Sequence, residues 1–324
     1  MRKAIAIALA LTLLMAGCGA QVQANATPAA TPAVPTATAR TADIGFSLAG
    51  GDAFRTQLKL DIEAECAGLG YRAEILTAET ADAQQEDIAS LLALDVSVIV
   101  IDPVDVDALE TMLAECETQD VRVINIVDSI NGAVSMLISP DYIQAGKTAA
   151  GYANDLLETG NCLELKTSYD SFVMQLLSDG FEGALDSGIS VTEAYCGDDV
   201  QAACDAAKEA LQAGGAGLIF AQSAALARGA LRAIEETGSD VPLIVFGGDM
   251  ETIASVAAGD IEAAVFFGPA EAAQQAVYYA DQMIKNSALE APQYVELTVE
   301  AADADNVSQY QTDSAYAQVK GNNG

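Results

Sequence analysis

The sequence predicts two doubly wound α/β domains with parallel sheets, from three observations. Short apolar β runs alternate with helical runs from residue 43 to residue 299, the order that parallel sheets with right-handed crossovers require. The run SVIVI at 97–101 is almost continuously apolar, as in a strand buried on both faces. After a long helical run at 141–158 the strand–helix pattern begins again, and two successive sets imply two domains.

In the first set, strands are expected at 43–49, 72–77, 97–101, 121–127 and 133–138. Helices are expected at 53–69, 83–94, 107–117 and 141–158. The first helix rests on the fourfold spacing of Phe54, Leu58, Ile62 and Cys66; the third rests on Leu109, Met112, Leu113 and Cys116. In the second set, strands fall at 162–167, 190–195, 217–221, 243–246 and 263–267. Helices lie between them at 171–185, 200–213, 224–236 and 251–257. A helix at 269–285 and a strand at 293–299 complete the chain. The two sets show no tandem sequence repeat.

The start of the chain reads as an export signal. Arg2 and Lys3 precede an apolar run at 4–15, too short to span a bilayer as a mature helix. The run ends in Leu14-Met15-Ala16-Gly17-Cys18. Small residues directly before a Cys resemble the bacterial lipobox, which implies cleavage before Cys18 and a lipid on its thiol. Residues 1–17 are then the signal peptide. Residues 18–42 are the lipid anchor and a tether rich in Ala, Thr, Gln and Pro, with too little apolar pattern to fold. Extended at roughly 3 Å per residue, the tether reaches about 70 Å. The expected location is the extracytoplasmic face of the cell membrane.

Composition narrows the function. The chain carries 14 basic and 47 acidic residues, a formal net charge of −33. Such a surface repels nucleic acid and anionic headgroups. There is no His and no C-x-x-C pair, so the usual zinc sites are not expected, and neither a metal nor a cofactor is implied. Cys66 and Cys116 read as small core residues, while Cys196 and Cys204 are close enough in sequence to bridge or to remain free. Without His there is no His-based triad. No G-x-S-x-G, P-loop or G-x-G-x-x-G motif occurs either. A binding protein is expected, not an enzyme.

In doubly wound sheets ligands sit beyond the carboxyl ends of the strands. Those ends carry Asp52, Phe54, Asp102, Asp128, Ser129, Tyr169, Asp170, Gln222, Ser223, Asp249 and Phe267. Carboxylates accept hydrogen bonds from hydroxyls, and aromatic rings cover the C–H faces of a sugar. The set suits a neutral polyol. Each member also has a plainer reading, with Asp52 capping a helix and Asp128 and Asp249 binding loop amides.

From residue 43 to about residue 310 the chain resembles the periplasmic-binding-protein type 1 fold, in particular the ribose-type sugar-binding proteins of ABC importers. The resemblance is carried by IGFSLAGGDAFRTQLKLDIEAECAGLGY, VSVIVIDPVDVDAL, VRVINIVDS, SPDYIQAGKTAAGY, SDGFEGAL, LIFAQSAALARGALRAI, LIVFGGD and the tail VELTVEAADADNVSQY. It implies that Phe54 stands at the first aromatic of an N-P-F-F turn. Asp52 takes the Asn place and Arg55 the second Phe place. Asp128 matches an Asp that holds sugar hydroxyls, and Ser129 replaces the Arg that usually follows it. Gln175 and Leu177 occupy the places of a basic residue before G-F. Ser223 replaces the Asn of A-Q-N-D, Asp249 matches the Asp of G-F-D, and Phe267 stands where Gln is usual. Arg55 has two readings: it supplies the missing positive charge from the neighbouring turn, or it is a solvated helix residue.

The resemblance further implies three hinge crossings, near Pro140-Asp141, Gly268-Pro269 and Ala291-Pro292. The first domain is then 43–141 with 269–291, and the second is 142–268 with 292–324. Asp128 and Asp249 are expected to face one cleft from the two sides. The expected function is capture of a sugar or sugar-like solute for an ABC permease. The alternatives are a ligand-binding module for signalling and a binder of a nucleoside or autoinducer. A sugar-responsive repressor is opposed by the signal and by the lack of an initial helix-turn-helix.

Overall fold

The computed structural model describes residues 43–169 and 171–312. The signal peptide, Cys18, the tether, Asp170 and residues 313–324 lie outside the described residues. The first half runs β1 (Ile44–Ala49), α1 (Ala53–Leu69), β2 (Ala73–Ala78), α2 (Ala81–Ala93), β3 (Val98–Ile101), α3 (Glu110–Thr118), β4 (Arg122–Ile126), β5 (Met136–Pro140) and α4 (Tyr142–Leu156). The second continues with β6 (Gly160–Lys166), α5 (Phe172–Ala184), β7 (Ile189–Tyr195), α6 (Val200–Gln212), β8 (Leu218–Ala221), α7 (Ala224–Thr237), β9 (Leu243–Phe246), α8 (Met250–Ala258) and β10 (Ala263–Phe266). The chain then forms α9 (Pro269–Lys285), β11 (Tyr294–Leu297), β12 (Glu300–Asp303) and α10 (Ser308–Thr312).

Two six-stranded sheets result, in the orders β11-β5-β4-β3-β1-β2 and β12-β10-β9-β8-β6-β7. The first is parallel throughout; in the second, β12 runs antiparallel to β10. Both faces of each sheet are covered. On the first, Val98 and Val100 join the core under α1 and α9, while Ile99 and Ile101 join the core under α2 and α3. On the second, α4 and α5 cover one face and α6, α7 and α8 the other. The doubly wound class expected from the alternation is therefore present in both halves.

The last crossing differs from the expectation. The sequence places residues 292–324 in the second half, with one strand at 293–299. Instead β11 pairs with β5 in the first sheet, and a separate strand, β12, closes the second. The chain changes sheets at Thr298-Val299. Glu271 holds that point by accepting from the Thr298 amide and hydroxyl at 2.9 and 3.1 Å. Alternation alone could not find the switch, because both short strands run together in the sequence. Among the described residues no helix is long and apolar enough to cross a membrane.

Candidate functional site

The site grows from the turn between β1 and α1. Asp52 caps α1 by accepting from the Arg55 amide at 2.7 Å, which satisfies one of the helix's unpaired donors. The cap turns the Arg55 side chain back over the end of β3. There its Nε donates to Asp102 Oδ2 at 2.8 Å and its Nη1 to Asp52 Oδ2 at 2.6 Å. The Arg55 side chain is 21% exposed and that of Asp102 is 0% exposed. Arg55 is thus the centre of a partly buried charge cluster, not a solvated helix residue. Burial opposes its charge, but Asp102 and then Asp52 more than offset this and hold the guanidinium above its ordinary pKa. Burial pushes Asp102 up to about 7 against the pull of Arg55. Buried Gln84 fixes the loop after β3 by donating to the Asp102 carbonyl at 2.8 Å and accepting from the Val104 amide at 2.7 Å.

Asp128 follows a strained turn. Val127, just beyond β4, has φ of +67°, a left-handed conformation that is an outlier for a β-branched residue. Its amide donates to the Ile138 carbonyl at 2.8 Å, and its carbonyl accepts from the Ser139 hydroxyl at 2.6 Å. Buried Asn125 ties the next residues by donating to the Asp128 carbonyl at 2.8 Å and accepting from the Ile130 amide at 2.9 Å. The Asp128 carboxylate accepts from the Tyr142 hydroxyl at 3.2 Å. Burial pushes its pKa up, while Arg55 and Tyr142 pull it back.

Aromatic rings from α1, α4, β9 and the residue after β10 cluster together. Phe54 and Phe267 sit edge to face with centroids 5.0 Å apart. Tyr142 lies 6.4 Å from Phe267 and 5.9 Å from Phe246. Arg55 and Asp128, together with Ala49, Gly50, Ala78, Glu79, Pro103 and Val104, line a cavity of about 230 Å³. That is smaller than the roughly 300–1,000 Å³ of drug-sized sites and suits a small solute.

The second half contributes differently. Asp249 caps α8 by accepting from the Thr252 amide at 2.8 Å, and its other oxygen accepts from Arg228 at 3.1 Å. Gly247, with φ of +144°, and Gly248, where a Cβ would collide with the Phe266 ring, let the chain turn sharply into that cap. Ser223 caps α7 and donates to Asp198 at 2.5 Å. Gln175 is exposed and donates to Asp179 at 3.0 Å. Tyr169 is exposed and stacks on Tyr195 with centroids 3.3 Å apart. Ser129 is exposed beside Asp128.

The structure therefore brings Arg55 and Asp128 together around one cavity, sets Asp52 on Arg55, and places Phe54 against Phe267. Asp249, Ser223, Gln175 and Tyr169 make their side-chain contacts within the second half. Asp102 was recognisable as a strand end but not as the partner of Arg55. Tyr142, Phe246 and Arg228 were missed. A tyrosine directly after the Pro140-Asp141 crossing was the one available signal. Cys196 and Cys204 are free buried thiols, as are Cys66, Cys116 and Cys162.

Comparison with known proteins matches residues 44–288 to the Periplasmic binding protein domain. The ribose import binding protein RbsB of Bacillus subtilis is 27% identical over 71% of this chain and 77% of its own length. Its counterpart from Escherichia coli is 25% identical over 75% of this chain and 85% of its own length. Among solved structures, an ABC transporter solute binding protein from Mycobacterium smegmatis with bound glycerol superposes with a TM-score of 0.76. It is 24% identical and covers 85% of this chain and 98% of its own. The arabinose-transporter binding protein from Shewanella superposes with a TM-score of 0.78 at 18% identity, covering 86% and 97%. At these identities the structural likeness is one of fold. The match of residues 44–288 covers most of the chain, and with it the protein belongs to the periplasmic binding protein domain family, a family of binding proteins and not of enzymes.

Proposed function

We propose that this protein captures a sugar or sugar-like solute outside the cytoplasm and delivers it to an ABC permease, held to the membrane by a lipid on Cys18. The observation that carries the reading is Asp128. A strained Val127 and a buried Asn125 aim it at a cavity shared with Arg55, next to rings from both halves. Strain kept at such a point is typical of a ligand clamp. The ribose import binding proteins among its relatives support the same class of solute.

In this reading the first domain is 43–141 with 269–297, and the second is 142–268 with 300–312. They hinge at Pro140-Asp141, Gly268-Pro269 and Thr298-Val299. Closure traps the solute. Asp52, Phe54, Arg55, Asp128 and Ser129 act from the first side. Tyr169, Gln175, Ser223 and Asp249 act from the second, with Phe267 at the hinge. A thermal-shift panel of pentoses, hexoses, polyols and nucleosides tests it. The true ligand adds about 2.7 kcal/mol of stability at a hundredfold excess over its dissociation constant. A panel in which nucleosides alone raise the midpoint replaces the sugar with another solute. Cys18→Ala is expected to move the protein from the membrane to the soluble fraction; unchanged partitioning refutes the anchor.

A further inference from the structure

The charges around the first-half cavity do not balance. Glu79 and Asp128 line it with Arg55, and Asp102 and Asp52 lie directly on Arg55. That is four carboxylates around one guanidinium. Arg55 is already committed: Nε and Nη2 point to Asp102 and Nη1 to Asp52. Among the described residues no Lys or Arg forms an ion pair with Asp128 or Glu79, and Asp128 accepts only one side-chain hydrogen bond, from Tyr142. Ser129, beside Asp128, is neutral.

A neutral sugar placed here satisfies the free oxygens of Asp128 with hydroxyls but leaves the negative charge uncompensated. An anionic sugar is repelled. A protonated amine meets Asp128 and Glu79 with charge-assisted hydrogen bonds, about twice as strong as neutral ones. The shielded, half-buried position of Asp128 strengthens that attraction.

Resting on the proposed solute-binding reading, we infer that the ligand carries a protonated amine, as in an amino sugar or an iminopolyol, and that Asp128 and Glu79 select for it. The same cavity excludes uronic acids and sugar phosphates, since like charges oppose their entry.

Calorimetry on the intact chain at pH 7 tests this with matched probes. These are D-glucosamine against D-glucose, D-galactosamine against D-galactose, and 1,4-dideoxy-1,4-imino-D-ribitol against D-ribose. The N-acetyl hexosamines serve as uncharged controls. At least one amine is expected to bind about tenfold or more tighter than its neutral partner, the scale of a hydrogen bond between charged groups. An N-acetyl form should lose that advantage. Asp128→Asn and Glu79→Gln should each shrink the ratio; Glu79 is exposed, so its variant keeps the fold. Neutral sugars that bind as tightly as their amines overturn the inference and leave the sugar reading standing. Silence from every amine overturns it too, and silence from the neutral sugars as well removes the sugar reading with it.

Discussion

Tyr142, the first residue of α4 on the second sheet, donates its hydroxyl to Asp128 at the end of the first sheet, at 3.2 Å. The same ring packs between Phe246 and Phe267. One residue thus links the site carboxylate to the opposite half through a polar tip and an apolar body. Tyr142→Phe keeps the ring and removes only the bond. It is expected to cost about 1 kcal/mol, the net worth of one hydrogen bond. Urea unfolding measures this, and the midpoint should fall with the slope unchanged.

The Arg55–Asp102 pair makes a larger prediction. At pH 8, above the Asp102 pKa of about 7, Arg55→Met leaves a fully buried carboxylate without its partner, which costs about 3–5 kcal/mol. Replacing both, as Arg55→Met with Asp102→Leu, removes the stranded charge and should recover most of the loss. If the single and double variants are equally unstable in urea, the pair does not carry the coupling described.

Asp102 also sets a pH dependence. Its folded pKa of about 7 lies above the roughly 3.9 of an unfolded Asp, so the folded state binds more protons between those values. Its contribution to stability is therefore full below about pH 4 and is lost as pH rises to about 7. Unfolding free energies of the parent and of Asp102→Asn, measured from pH 4 to pH 8, should diverge with that sign: the parent loses stability relative to the variant as pH rises.

A fourth prediction concerns the packing beneath the second half of the site. Gly146 of α4 and Gly180 of α5 stand where the two helices meet. A Cβ on Gly146 would collide with the Leu177 carbonyl, and one on Gly180 with the Ile143 carbonyl. Gly146→Ala must push backbone against backbone and should cost about 1–3 kcal/mol, the range for overpacking. Thermal unfolding with retained far-ultraviolet dichroism would read the loss.

Much of this was legible in the residues. The spacing from Phe54 to Cys66 located α1, whose observed bounds Ala53–Leu69 agree with the expected 53–69. The SVIVI run marked a strand buried on both faces, and β3 feeds two separate cores. Local patterns report local periodicity, and those features are local. The tie between Arg55 and Asp102 joins residues 47 positions apart, and no periodicity encodes it. The left-handed Val127 was hidden because a β-branched residue gives no signal for that conformation. Asp249 was recognised by position, but its engagement by Arg228 depends on α7 lying beside α8. The β11–β12 switch was missed because strand pairing is decided by partners far away in the chain.

Calorimetry on Asp128→Ala and Asp249→Ala, with the solute found by the panel, tests the central claim most directly. If the solute lies between the two halves and is read by both carboxylates, each truncation should weaken binding by about 1.5–3 kcal/mol while the protein stays folded. Parental affinity in both folded variants would contradict the account and place recognition on other residues.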